Sequence, residues 1–285
     1  MMAVLQPTVA SMKVEEIAPD VWMFVGRELE SVATAFVDGD DALLVDTLGG
    51  VDDAHALRRV LRDQMGKRVR IVVSTHFMSD HIAGLSLFPE ATTIAHRHHR
   101  HAFLSQNRQV DAFYLEPQVV FDSAMRIRWG RHALHLLHNP GKTMDHLSVD
   151  VPSADLVCAG DNIVGNIVYV SRADPAQIRS AIVRMQQLGR RRVIGGHMGM
   201  FGAATLGNAV HYLDRLADAV VGIRTAVDSH EADARIASIA IEPCLAAGVE
   251  PSPFERHWHE RNLEAIVTQS MFTLDAALAA RRAHA

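Results

Sequence analysis

The chain is poor in the features that would place it in several classes of protein. It has two cysteines in 285 residues, Cys158 and Cys244, far apart in sequence. That pair neither makes a disulfide framework nor matches a Cys-x-x-Cys metal motif, and reduced thiols in a cytoplasmic protein are expected. There is no excess of basic residues. The net charge of -5 gives no footprint for nucleic acid as a partner. No apolar run is long enough to span a membrane. Met1 to Met12 has no basic region followed by an apolar core, so no signal peptide is expected. There is no internal repeat. What remains, 48% hydrophobic and 21% charged, is an ordinary globular composition, in a chain long enough for a large core and one or two domains.

Histidine is what the chain has in quantity, 17 in all. The stretch Ser74-Thr75-His76-Phe77-Met78-Ser79-Asp80-His81 follows the β-branched run Arg70-Ile71-Val72-Val73, which reads as a buried strand. Ile82-Ala83-Gly84-Leu85 after it reads as the start of a helix. Imidazoles and a carboxylate therefore sit in a turn at a strand end, where a rigid scaffold often holds functional groups. Neutral imidazole and carboxylate together suit zinc, iron or manganese.

Around this stretch, Ile17 to Val25 and Ala33 to Val37 read as strands, and Asp38-Gly39-Asp40-Asp41 as a turn before the returning strand Ala42 to Asp46. Asp46 is either a carboxylate steadying a ligand loop or a strand-end cap. Val51 to Gln64 has apolar residues at helical spacing. Strand, helix, strand with short links is the mark of an α/β layered domain. Leu85 to Phe88 ends a helix before Pro89, and Thr92 to Ala95 is a short strand. His96, His98, His99 and His101 are expected at a solvated helix start, because the arginines between them repel a cation; His96 alone is kept as a pocket-edge candidate. Ser105 to Asp122 reads as a loop-rich segment. Met125 to Trp129 and His132 to Leu137 read as paired strands, Ser148 to Val151 and Leu156 to Asn162 each read as a strand, and Arg192 to Gly195 reads as a strand that leads to Gly196-His197. From Leu206 onward the reading is helical, over Ala209 to Val227, Glu231 to Leu245 and Pro253 to Met271, with a frayed tail from Ala276.

The stretch from His76 to His81 resembles the metal-binding loop of the metallo-β-lactamase superfamily, His-x-His-x-Asp-His, with Met78 in place of the middle His. His138-Asn139-Pro140-Gly141-Lys142-Thr143 resembles the loop His-x-Pro-Gly-His-Thr, with Lys142 where the family has a metal-binding His. Gly160-Asp161 matches the bridging-aspartate loop, and Gly195-Gly196-His197 the last His. The likeness runs from Ile17 to Gly202. It implies a four-layer αβ/βα sandwich over residues 13–205, followed by a helical extension over 206–285 that packs on the rest, covers the cleft or supports a homodimer.

The resemblance also implies a site. His76, Asp80, His81, Asp161 and His197 are the retained metal ligands. The family's first metal position is left with His76 and Asp161, while Asp80, His81 and His197, with Asp161 as bridge, complete the second. About one ion per chain is expected, zinc foremost, with iron or manganese also compatible. Met78 fills the changed pocket, and His146 is a further candidate to reach the site. Three readings follow. The first is a hydrolase in which metal-bound water attacks a small anionic ester, thioester, lactone or amide, Asp80 or Asp161 orients that water, and Lys142 binds the substrate's anionic part. The second is an iron-dependent oxygenase or lyase. The third is a non-catalytic relative that binds a small molecule in the old cleft.

Overall fold

The structure, a computed structural model, describes residues 12–105 and 112–273. The tail expected to fray, and the stretch before Met12, lie outside the described residues, as does 106–111 within the loop-rich segment.

Two sheets face each other. The first runs in the spatial order of its sequence: β1 (Lys13–Ala18), β2 (Val21–Val25), β3 (Val32–Asp38), β4 (Asp41–Val45), β5 (Arg68–Val73), β6 (Thr92–His96) and β7 (Val119–Phe121). Its first four strands are antiparallel hairpins and the rest pair in parallel. The expected single strand over Ile17 to Val25 is instead the hairpin β1–β2. Its turn falls at Pro19 and Asp20, where Asp20 takes φ 63°.

The second sheet has the order β13 (Met200–Gly202), β12 (Arg192–Gly195), β11 (Leu156–Gly160), β10 (Leu147–Val151), β9 (His132–His138) and β8 (Ala124–Trp129). β10 and β11 are buried along their whole length, as expected of strands covered on both faces. The edge strand β8 instead alternates, with Arg126 and Arg128 exposed, which blunts the edge against further pairing.

Three apolar clusters define the layers. Phe36, Leu43, Val45 and Val73 of the first sheet meet Leu134, Leu136, Val149 and Ile194 of the second. Leu44, Val72, Leu57 and Leu61 bury the outer face of the first sheet under α1 (Val51–Arg59) and the turn that continues it to Gln64. Val157 and Val193 bury the outer face of the second under α4 (Pro175–Gln187) and α5 (Ala204–Ala226). The result is the expected four-layer sandwich with helices outside. Two short helices, α2 (Ser79–Ile82) and α3 (His99–Leu104), carry the histidine-rich turns.

The C-terminal helices continue the third cluster. Ile236 of α6 (Ser229–Ile236) and Leu263 and Ile266 of α7 (Pro253–Thr268) pack into the same core as Ile178, Leu213 and Val220. α6 is shorter than the expected helix over Glu231 to Leu245. It ends at Ile236, and a separate turn, Glu242–Cys244, follows. α7 starts on a full capping box, with Ser252 and Glu255 exchanging bonds and Pro253 at its first position. The boundary placed at 205/206 falls within the first turn of α5.

Candidate metal centre

Three loops deliver side chains to one edge of the sandwich. β5 ends at Val73, and the turn after it carries His76 and runs into α2, which carries Asp80 and His81. β11 ends at Gly160, whose φ of +52° lets the chain turn and present Asp161. β12 ends at Gly195, and Gly196 then leads to His197. A β-carbon on Gly196 would lie 2.2 Å from Asp161 Oδ1 and 2.8 Å from His81 Cε1, so only glycine allows this approach.

Asp80, His81, Asp161 and His197 each offer a ligand atom within 4.8 Å of the others. Asp161 Oδ1 lies 3.0 Å from His81 Nε2 and 3.2 Å from His197 Nε2. Asp80 Oδ2 is 3.5 Å from His197 Nε2 and 3.8 Å from His81 Nε2. On the other side, Asp161 Oδ2 is 3.4 Å from His76 Nε2. Despite these approaches, His76 Nε2, His81 Nε2 and Asp161 Oδ1 are buried without a hydrogen-bond partner.

The surroundings fix which ring nitrogen carries the proton. Asp46 accepts from the Thr75 backbone N–H at 2.7 Å through Oδ1. Its Oδ2 accepts from Thr75 Oγ1 at 2.7 Å and from His81 Nδ1 at 3.1 Å. With its proton given to Asp46, the Thr75 oxygen accepts from His76 Nδ1 at 3.0 Å. His197 Nδ1 donates to the Leu29 carbonyl at 2.6 Å. As a neutral ring each imidazole therefore keeps a bare Nε2 lone pair, and all three Nε2 atoms face the Asp161 carboxylate. Lone pairs and carboxylate oxygens converging in a buried space, with no proton donor between them, are the donor set of a cation site.

The local field points the same way. Burial alone drives the His81 imidazole pKa down, but the Asp161 and Asp80 carboxylates overcome it and hold the value well above the usual one. His197 is raised against its own burial, chiefly by Asp161. Burial pushes Asp161 up, and the imidazoles of His81, His197 and His76 more than reverse that. Positive charge is favoured at the centre of the cluster.

Asp46 thus bonds Thr75 and His81 directly and is more than a cap on its strand. It holds a left-handed φ of 60°, an uncommon conformation for a non-glycine residue, pinned by bonds from its own N–H to Val73 and from Thr47 N–H to the His81 carbonyl. The Leu29 carbonyl was not foreseeable from local pattern. It sits on a turn, Glu28–Glu30, with Leu29 at φ 55°. Buried Asp53 braces the entry to that turn by accepting from the backbone of Arg27 and Glu28.

Several expected participants lie elsewhere. His146 is buried behind His76, with ring centroids 5.0 Å apart. Its Nε2 accepts from the Asp161 backbone N–H at 3.0 Å and its Nδ1 meets the Asn162 amide at 3.2 Å, so neither nitrogen is free. His96 stacks on His138 at 3.6 Å and bonds the Asp122 carbonyl. Burial first, and the neighbouring His138 charge with it, lower the pKa of His96 to about 4. His96, the one histidine of its run kept as a pocket-edge candidate, is buried, and the expectation of a solvated position is corrected at His99, which is buried too. His99 Nδ1 is held at 2.9 Å by Asp145, which also accepts from Thr143. Only distant sequence supplies these partners.

Lys142 is buried. Its ammonium donates to the Ser171 carbonyl at 2.8 Å and lies 3.8 Å above the Tyr169 ring. Among the described residues it makes no ion pair with Asp161. Asp161 and Asp80 act on Lys142 only from longer range, while burial lowers its pKa to about 8. Lys142 and half-buried Met78 line a cavity that also touches Phe77, Thr143 and Tyr169. Phe254 and Trp258 of α7 close the other side of His197, with ring centroids at 5.5 and 6.4 Å.

A two-sheet sandwich that gathers histidine and aspartate at the ends of its strands has the fold of a metal-dependent hydrolase. The sequence model of the Metallo-beta-lactamase superfamily matches residues 26–197, and the chain belongs to that superfamily. A metallo-beta-lactamase from Pontibacter korlensis superposes with a TM-score of 0.60 at 18% identity, covering 69% of this chain and 96% of that one. One from Erythrobacter litoralis, with beta mercaptoethanol in its active site, gives 0.59 at 17%, covering 72% and 97%. The DIM-1 metallo-beta-lactamase gives 0.57 at 17%, covering 69% and 94%. At such identities the likeness is one of fold. No helix among the described residues is long and apolar enough to cross a membrane.

Proposed function

We propose that the chain is a metal-dependent hydrolase acting on a small anionic ester, thioester, lactone or amide, with one principal metal position held by Asp80, His81, Asp161 and His197. The observation that carries this reading is the convergence of bare, buried Nε2 and carboxylate atoms in a space with no donor. A bound divalent ion supplies an acidified water and polarises the scissile carbonyl. Two imidazoles and two carboxylates suit zinc, and are compatible with iron or manganese. His76 stands on the far side of Asp161 as the remnant of a first metal position.

Asp80 is the only one of the four ligand residues that is not fully buried, which suits it to accept a proton from the attacking water. Lys142 occupies the place where a second cation's ligand stands in the family. Its ammonium binds an anionic part of the substrate or the charge that develops on the attacked carbonyl oxygen. Buried, unpaired Cys158 and Cys244 fit a reducing, cytoplasmic setting, and we propose a homodimer with no nucleic-acid or membrane partner.

The test is elemental analysis of protein purified without added metal, together with hydrolysis of a panel of aryl esters, thioesters, lactones and β-lactams. The reading expects close to one metal equivalent, and turnover that chelation abolishes and zinc, iron or manganese restores. A metal-loaded chain inert toward the whole panel would overturn the hydrolase reading. Turnover that instead requires iron and dioxygen would favour oxygenase chemistry on the same donor set.

A further inference from the structure

We propose that the cavity beside the metal centre receives an anionic amphiphile, a small acyl or aryl compound with a free carboxylate, and that Arg172 and Arg261 at its rim are the residues that select it. The hydrolase reading supplies the bond that is cut; the way the ligand is held is argued from the cavity itself.

The cavity encloses about 610 Å³, a size suited to a small organic ligand. Among the described residues that line it, the charged ones are Lys142, Arg172 and Arg261, and none is a carboxylate. Lys142 is buried, whereas both arginines are exposed. Arg172 has no ion pair among those of the described residues. Arg261 meets Glu264 at 2.5 Å, a residue that does not line the cavity. Positive charge unmatched by lining carboxylates in a concave site attracts anions from solution. Guanidinium forks bind carboxylates through paired hydrogen bonds. Phe77, Met144 and Tyr169 supply apolar wall between rim and floor, which a bare inorganic anion would leave unused.

The rim is built rather than incidental. The loop that carries Tyr169, Ser171 and Arg172 is tied to α7 at successive points. Asn262 accepts from Val170 N–H at 2.8 Å and donates to the Val168 carbonyl at 2.7 Å. Gln269 accepts from Arg172 N–H at 3.0 Å. Arg172 holds a left-handed φ of 58°, a conformation that costs free energy in a non-glycine residue and needs support from its surroundings. Arg261 immediately precedes Asn262 on the same helix. One C-terminal helix therefore both places Arg172 and contributes Arg261, which makes the extension a specificity element of the site.

The experiment is isothermal titration of the full-length, metal-loaded protein with phenylbutyrate, its uncharged analogue phenylbutanol, and butyrate. The parent is expected to bind phenylbutyrate at least about tenfold more tightly than either analogue. The exposed double variant Arg172→Gln, Arg261→Gln should lose that margin while keeping its metal content and its weak affinity for phenylbutanol. Failure of the parent to bind phenylbutyrate, or affinity that ignores the charge, would overturn the proposal. So would unchanged binding in the double variant, which would place the carboxylate on Lys142 or the metal instead of the arginines. Arginine-dependent binding in a protein that hydrolyses none of the panel would sustain this inference and sink the hydrolase reading. Hydrolysis with arginine-independent binding would do the reverse.

Discussion

Replacing Asp46 by Asn changes one atom of a residue that touches no metal, and the structure gives that atom a large effect. Asp46 has an acceptor on each side: Oδ1 for the Thr75 N–H, Oδ2 for Thr75 Oγ1 and His81 Nδ1. Asparagine has one acceptor. If its oxygen stays on the Thr75 N–H, its NH₂ faces the Thr75 hydroxyl and His81. His81 Nδ1 must then accept, which moves its proton to Nε2. The Thr75 hydroxyl reverses, accepts from the amide and donates to His76 Nδ1, which moves that proton to Nε2 as well. Both imidazoles would then aim N–H groups at the space where they had aimed lone pairs. The other amide orientation sets NH₂ against N–H. Each hydrogen bond to a charged group lost this way costs about 1.5–3 kcal/mol. Removing such an orienting partner typically lowers metal affinity about 10–100-fold, and with two rings turned we expect the upper end. Competition for zinc against a chromophoric chelator measures it, with circular dichroism to confirm that the variant folds. Thr75→Val, which removes the partner of His76 and one donor to Asp46 but leaves the Asp46 bond to His81 in place, should cost the principal position far less. Zinc affinity within about threefold of the parent in Asp46→Asn would refute the tautomer argument.

Gly196→Ala should abolish metal binding, because its methyl group would lie 2.2 Å from Asp161 Oδ1; retention of full metal content in a folded variant would contradict the observed approach. Lys142→Met should raise KM for anionic substrates at least about tenfold with metal content unchanged, and parent-like kinetics would remove the lysine from the site. Because burial lowers the Lys142 pKa to about 8 from an ordinary value near 10.5, affinity for anions should weaken as pH rises through about 8 in the parent and not in Lys142→Met. Over the window from about 8 to 10.5 the unfolded chain binds this proton more tightly than the folded one, so this group makes stability rise with pH there, which denaturant titrations of parent and variant compare. Met78→His with Lys142→His should raise metal content from about one toward two equivalents, and no gain would mean that these loops no longer aim at the first position.

Much of the centre was legible because each ligand sits in a short motif at the end of a strand whose own residues announce it. The β-branched run before His76, Gly-Asp at 160–161 and Gly-Gly-His at 195–197 are local signals, and the structure brings the other four expected side chains, His76, Asp80, His81 and His197, together around Asp161. What sequence pattern could not show is non-local. The Leu29 carbonyl behind His197 depends on a turn braced from α1. His96 and His99 are buried because His138 and Asp145, some forty residues on, cover them. The strands β7 and β13 are three residues long each, too short for an alternating pattern to register. Helix α4 starts on a local signal, Asp174 as N-cap with Pro175 at its first position. The helical character of residues after 206 was plain, but that α7 forms a wall of the cavity follows only from the bonds of Asn262 and Gln269 to a loop nearly a hundred residues earlier.

The central claim is that the atoms gathered around Asp161 are a single principal metal position. Anomalous diffraction from crystals of protein purified without added metal, collected on both sides of the zinc, iron and manganese edges, tests it most directly. The account predicts one strong peak bound by Asp80 Oδ2, His81 Nε2, Asp161 Oδ1 and His197 Nε2, with at most a weak peak beside His76. No peak at that position after metal is supplied, or two peaks of equal full occupancy, would contradict it.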